Sequence, residues 1–200
     1  MEIIKYKSNI EAAHCLRIVK NGGALLLRNF VDLVECTNII NESTLELMLP
    51  IDEREAKIAQ QFETLNFSYL TEASPAVRKF GQRLISFVQP VLPKWRPNDV
   101  AIQRYLPTHI GIDNHRDYAS DILLVAVASL EGSARFHIEA DEVYSKQWSN
   151  VEVCPGDLVL LRAPGLTGHP EDRPYHRIEA PLAGQRVSIA YRQNSRLGGQ

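Results

Sequence analysis

VAIQRYL (100–106), DILLVAVASL (121–130), ARFHIE (134–139), DLVLLRA (157–163), YHRIEAP (175–181) and RVSIAYR (186–192) crowd the second half of the chain with short apolar runs. Gly, Pro, Asn and Asp separate them. Runs of that length at that spacing predict a sandwich or barrel of short strands, not alternating βαβ units. The first half has a different texture. GALLLRNF (23–30) reads as a strand that follows a polar helix around 8–20, with Gly22-Gly23 as the break. Segment 53–63 is polar and helical in character. SPAVRKFGQRLISFVQP (74–90) sets Val77, Phe80, Leu84 and Phe87 at helical spacing behind a Ser74-Pro75 start signal, which predicts a helix covering one face of the sheet. Pro90, Pro93 and Pro97 end that helix and mark the one internal boundary. The expected fold is α+β, a cupin-like jelly roll with N-terminal covering helices.

A chain of 200 residues is the size of one domain with a real core, so residues 1–200 are expected to form a single domain. Within it, 1–97 is expected to supply helices, a leading strand and a substrate lid, and 98–193 the jelly-roll core. The formal net charge is −2, and charges of both signs are spread evenly over the two halves, so no basic block marks a nucleic-acid footprint. The start, MEIIKYKSNIEAAHC, has no apolar targeting segment, and no stretch is long enough to cross a bilayer. A cytoplasmic protein with no membrane partner is expected. Cys15, Cys36 and Cys154 are far apart and lack CxxC spacing, which argues against a zinc knuckle or a disulfide framework.

The chemistry begins at His115-Arg116-Asp117. On an extended chain residues i and i+2 project to the same side, so an imidazole and a carboxylate converge on one ion while Arg116 points away. A third ligand from a distant strand would complete a face of two histidines and one carboxylate, the set that suits iron(II) with open positions. His176 in Tyr175-His176-Arg177-Ile178 is the best candidate and His169 its rival; His109 and His137 read as ordinary histidines. HRD also opens the catalytic loop of protein kinases, but an asparagine should then stand five positions after the aspartate, where this chain has Ile122. Further on, even spacing puts Arg186, Ser188, Ala190 and Arg192 on one strand face. A guanidinium inside a barrel is costly unless it meets an anion, and its planar fork matches a carboxylate. A dicarboxylate co-substrate would supply that anion. Trp95 and Trp148 read equally as packing or recognition.

From about Ala101 to Arg192 the chain resembles the AlkB-like branch of the iron(II)/2-oxoglutarate dioxygenases. The matching segments are QRYLPTHIGIDNHRD (103–117), DILLVAVASLEGSARF (121–136), PGDLVLLRAPG (155–165), PYHRI (174–178) and RVSIAYR (186–192). The resemblance implies a double-stranded β-helix with iron at one mouth, held by His115, Asp117 and His176. It implies that Gln103 and Tyr105 touch 2-oxoglutarate, that Arg186 grips its far carboxylate, and that Arg192 lies near the iron-bound end. Where the family more often has asparagine, this chain has Gln103 and Ser188.

The activity so implied consumes 2-oxoglutarate and O2, releases succinate and CO2, and oxidises a substrate C–H bond, with ascorbate as the reductant in vitro. Asp117 fills the place a halogenase would leave for chloride. Three roles stay open: a hydroxylase of a small organic molecule, an AlkB-like oxidative demethylase of nucleobases or nucleic acid, and a non-catalytic metal-binding jelly roll. The even charge favours the first.

Overall fold

Alternation along the strands sorts almost every side chain of the sheet to one of two faces. The computed structural model describes residues 1–6, 11–139 and 148–197. Its strands are β1 (Glu2–Lys5), β2 (Ala24–Arg28), β3 (Leu49–Glu53), β4 (Gln60–Ser68), β5 (Asp99–Tyr105), β6 (Gly111–His115), β7 (Asp121–Glu131), β8 (Ala134–Glu139), β9 (Trp148–Val153), β10 (Leu158–Arg162), β11 (His176–Ile178) and β12 (Arg186–Asn194). The helices are α1 (Ala12–Gly22), α2 (Leu33–Glu42), α3 (Pro75–Val88) and the single turn α4 (Pro164–Thr167). The strands join in the order β1-β2-β10-β7-β12-β5-β4-β6-β11-β8-β9, with β3 paired to β4. Within this order β10-β7-β12-β5 and β6-β11-β8-β9 are two four-stranded antiparallel blocks, and the chain from β5 to β12 passes back and forth between them. That is a double-stranded β-helix, the jelly roll expected.

One face of the first block is mainly apolar. Val100 and Ile102, Leu124 and Ala126, Leu158 and Leu160, and Val187, Ile189 and Tyr191 pack with Val19 of α1, Ile39 of α2 and Val77, Phe80 and Leu84 of α3. Truncating a side chain as enclosed as Leu84 to alanine should cost about 2–5 kcal/mol. The helices are fixed from both ends. Asp32 Oδ1 accepts from the Glu35 amide at the start of α2, and Ser74 Oγ accepts from the Val77 amide at the start of α3. Tyr191 Oη donates to the Val77 carbonyl (2.8 Å), and Trp95 Nε1 donates to the Leu124 carbonyl (2.9 Å), so Trp95 is a packing residue. Residues of opposite parity, Tyr105, Val125, Val159 and Leu161, meet Phe136, Ile138, Val151, Val153 and Ile178 inside the barrel.

The first half departs from its expected reading. Segment 53–63 is not a helix: β3 and β4 form a hairpin around it, with Ile51 opposite Phe62 and Glu53 opposite Gln60. Polar residues fit a helix surface or a hairpin tip equally. The decision comes from β4, which is held between β5 (Leu65 opposite Ile102) and β6 (Gln60 opposite Ile112). Four strands from residues 2–68 thus belong to the sheet, three more than the one leading strand expected there. The α1 helix covers the described part of the helix expected at 8–20, and residues 7–10 lie outside the described residues. The Trp148 side chain also lies outside them. No described helix is long and apolar enough to cross a membrane. All three cysteines are free thiols, two of them buried.

Candidate metal centre and co-substrate pocket

Strand register brings the site together. In the β6–β11 pair His115 stands directly opposite His176. In the β5–β12 pair Arg186 stands opposite Tyr105 and Ser188 opposite Gln103. Cross-strand partners lie side by side on one face of the sheet, so residues far apart in sequence become neighbours. Gly111 helps at the start of β6: its φ is +82°, and a Cβ there would lie 2.1 Å from the Ile178 carbonyl of β11. Any side chain at 111 would push apart the two strands that carry the histidines.

The ligand atoms of His115, Asp117 and His176 all lie within 4.8 Å of one another, and among the described residues they form the one such cluster of His, Cys, Asp and Glu. The imidazole centroids are 4.3 Å apart, and His176 Nε2 is 3.9 Å from Asp117 Oδ1. Each histidine uses its other nitrogen on the backbone, Nδ1 of His115 on the Asp113 carbonyl (2.8 Å) and Nδ1 of His176 on the Pro174 carbonyl (3.2 Å). Those bonds fix the tautomer and leave both Nε2 lone pairs facing the carboxylate. Burial, reinforced by His176, pushes the His115 pKa down to about 4, so its imidazole is a neutral donor at pH 7. Two imidazoles and a carboxylate on one side of an ion, with the other side free, are the donor set for iron(II).

Deeper in the barrel Arg186 is only 4% exposed. Its guanidinium reaches hydroxyls, Ser188 Oγ (3.2 Å) and Ser129 Oγ (3.4 Å), and lies 5.2 Å from the centre of the Tyr105 ring. Its Nε has no partner, and no carboxylate among the described residues pairs with it. Burial pulls its pKa down, yet an arginine stays protonated. A buried cation whose contacts are neutral groups is suited to binding an anion. Tyr105 is kept a neutral phenol, its pKa pushed up to about 12 by burial, and its hydroxyl donates to Gln103 Oε1 (3.0 Å). Gln103, Tyr105, Arg186, Ser188 and Arg192 line one pocket with all three candidate ligands.

On the outer side His115 and Asp117, but not His176, border a cleft of about 740 Å³ between the β3–β4 hairpin, the start of β5 and the chain after β12. Its walls mix Ile51, Ile58 and Phe62 with Glu53, Asp99 and Asn66. Tyr118, beside Asp117, is 73% exposed on its rim. Arg192 borders both spaces, but it is engaged by Asp99 (3.7 Å) and Asp121 (4.0 Å). Asp121 is fully buried with neither oxygen hydrogen-bonded, and burial raises its pKa to about 7.

All eight residues singled out in the sequence therefore gather around one space. Of the rival histidines, His109 accepts from the Leu106 amide in its turn, His137 pairs with Glu179, and His169 precedes an exposed turn. Sequence reasoning missed Ser129. A bulge in β7 sets it opposite Ser188, beside Arg186. Its signal was a lone hydroxyl in the apolar run LLVAVASL.

No family model matches the chain, and no curated protein is similar to it in sequence. Solved structures are similar in fold. A prolyl-4-hydroxylase from Pseudomonas putida superposes with a TM-score of 0.66 at 13% identity, over 92% of this chain and 98% of the other. An oxidoreductase of the 2OG-Fe(II) oxygenase family from Burkholderia pseudomallei gives 0.64 at 15% identity, over 98% and 96%. The alpha-ketoglutarate-dependent carbocyclase SnoK of nogalamycin biosynthesis gives 0.68 at 14% identity, over 93% and 86%. The chain shares their fold. At such identities the likeness concerns the architecture, and the chemistry has to be argued from this chain's own residues.

Proposed function

We propose that the protein is an iron(II)- and 2-oxoglutarate-dependent oxygenase that oxidises a C–H bond of a small organic substrate. The observation that carries this reading is Arg186, a buried cation with no counter-ion among the described residues, opening on the same pocket as the His115, Asp117 and His176 face. A metal-binding jelly roll with no co-substrate would have no use for it. His115, Asp117 and His176 would hold the iron. Arg186 takes the far carboxylate of 2-oxoglutarate through its fork, and Ser129 and Ser188 hold that fork in plane. Tyr105 and Gln103 border the same anion, and the apolar wall of Val159, Leu161 and Phe136 excludes water from it. Iron(II) with 2-oxoglutarate and O2 bound supplies the oxidising chemistry, ending in succinate, CO2 and oxidised substrate.

The solved structures named above include a prolyl hydroxylase and a carbocyclase of a biosynthetic pathway, which agrees with a small-molecule or side-chain target. The cleft supports it too. It falls within the usual range for small ligands, and its walls set Lys57, Arg116 and Arg192 against Glu53, Asp99 and Asp117, a balance of charge that makes no basic track for a phosphate backbone. The exposed Tyr118 ring favours the second reading, an AlkB-like nucleobase demethylase, because an aromatic face at the rim offers a base a stacking surface.

The test is succinate formation from 2-oxoglutarate with iron(II), ascorbate and oxygen. Wild type should produce it, uncoupled if no substrate is present, and His115→Ala should not. Equal amounts from the two proteins would sink the enzyme reading. Salt-sensitive retention of short DNA or RNA on a filter would move the substrate to the nucleobase alternative.

A further inference from the structure

We infer that Arg173 is a positioning residue for the metal face, fixing the backbone of the carboxylate ligand Asp117; the inference rests on reading that face as a metal centre. The three candidate ligands are not supported alike. His115 and His176 are cross-strand partners, so the β6–β11 ladder sets both of their backbones. Asp117 lies two residues past the end of β6, outside any ladder. Its peptide group could rotate, and rotation would swing the carboxylate off the ion. The hydrogen bond that stops this comes from Arg173, whose Nη1 donates to the Asp117 carbonyl at 2.5 Å while its Nε donates to the Pro170 carbonyl at 2.6 Å.

Arg173 is a rigid point of attachment because its own segment is anchored. Arg162 on β10 is buried, and its Nε donates to the Asp172 carbonyl (2.6 Å) while its Nη1 donates to the Lys20 carbonyl at the end of α1 (2.7 Å). The Glu139 amide donates to the Tyr175 carbonyl (2.9 Å), and the next carbonyl back, Pro174, is the one His176 Nδ1 meets. Arg116 adds an outer tie, pairing with Glu171 and lying 4.1 Å from the centre of the Tyr175 ring. The strap at 170–175 therefore links the strand end that carries Asp117 to the strand that carries His176. A planar guanidinium can make both bonds at once. Because Glu171 is exposed, the Arg116 tie should matter little.

The test is Mn(II) binding to the metal-free full chain by calorimetry, with the electronic spectrum of the Co(II) form as the structural readout. Arg173→Met should weaken Mn(II) binding by about tenfold or more and shift the Co(II) bands, the size expected when a group behind a metal ligand is lost. Arg173→Lys, which keeps one donor, should recover part of both. Arg116→Met should stay within about twofold of wild type. Wild-type affinity and spectrum in Arg173→Met would overturn the inference, as would an equal loss in Arg116→Met. If Arg173→Met does not fold, Arg173→Lys decides: weakened binding with an unchanged thermal midpoint supports the role, and wild-type binding refutes it. Should wild type itself bind neither Mn(II) nor Co(II), the metal-centre reading falls and takes this inference with it.

Discussion

The inner pocket and the outer cleft share His115 and Asp117, yet they are built on opposite terms. Inside, the charge of Arg186 is buried and unpaired, with hydroxyls around it and Nε empty. Outside, Arg192 is already met by two carboxylates, Gln60 is bonded to Glu53, and Tyr118 stands in solvent. An unpaired buried charge raises the energy of the empty protein and lowers it sharply when the right anion arrives; a paired, half-exposed charge does neither. The inner pocket is thus committed to one ligand in advance, while the cleft can change its walls without touching that commitment.

The largest expected effect breaks the inner pocket. Arg186→Met should weaken 2-oxoglutarate binding by about 100-fold or more, since it removes a desolvated charge pair. Mn(II) affinity should hardly change. The same substitution should raise the thermal midpoint of the ligand-free protein, because a counter-ion-free cation leaves the core; a lower midpoint would mean that Arg186 has a purely structural role. Next comes Ser129→Ala, with a loss of about three- to tenfold in 2-oxoglutarate affinity from one hydrogen bond to a charged group. Calorimetry on the Mn(II) form reads both.

Asp121 sharpens the boundary between the two spaces through pH. Its folded pKa, about 7, is above the ordinary 3.8, so the folded chain holds a proton there that the unfolded chain has lost. Its contribution therefore favours folding below about pH 4 and is lost as pH rises through 7. Asp121→Asn should leave the thermal midpoint near wild type at pH 5 and raise it by a few degrees at pH 8. A wild-type midpoint at both values would place the titration elsewhere. The smallest effect belongs to the cleft: Tyr118→Ala should leave 2-oxoglutarate affinity and uncoupled succinate formation within about twofold. A larger loss would mean that the rim of the cleft acts on the inner pocket.

Particular elements explain how much was legible. RVSIAYR alternates so cleanly that Arg186, Ser188 and Arg192 had to share a face, while HRD offered two candidate ligands two residues apart, the second of them past the end of β6. The 74–90 helix carried its own start signal and apolar stripe, and it appears as α3. Segment 53–63 was misread because its polar text lacks a period, and only pairing with β5 and β6 makes its flank a strand. The same limit hid Ser129, which matters through a bulge, and Arg173, which matters through two carbonyls that no side-chain pattern encodes.

By itself the sequence determined the short-strand texture, the parity of the strands it showed and the identities of the candidate ligands, because a strand's two-residue period is a local property of the backbone. Tertiary structure decided the rest. It set His176 across from His115, Arg186 across from Tyr105 and β4 between β5 and β6, because register and strand order are fixed by which apolar faces close on one another. It also left Arg186 with no counter-ion among the described residues, a fact that belongs to the enclosed space and to no single stretch of chain.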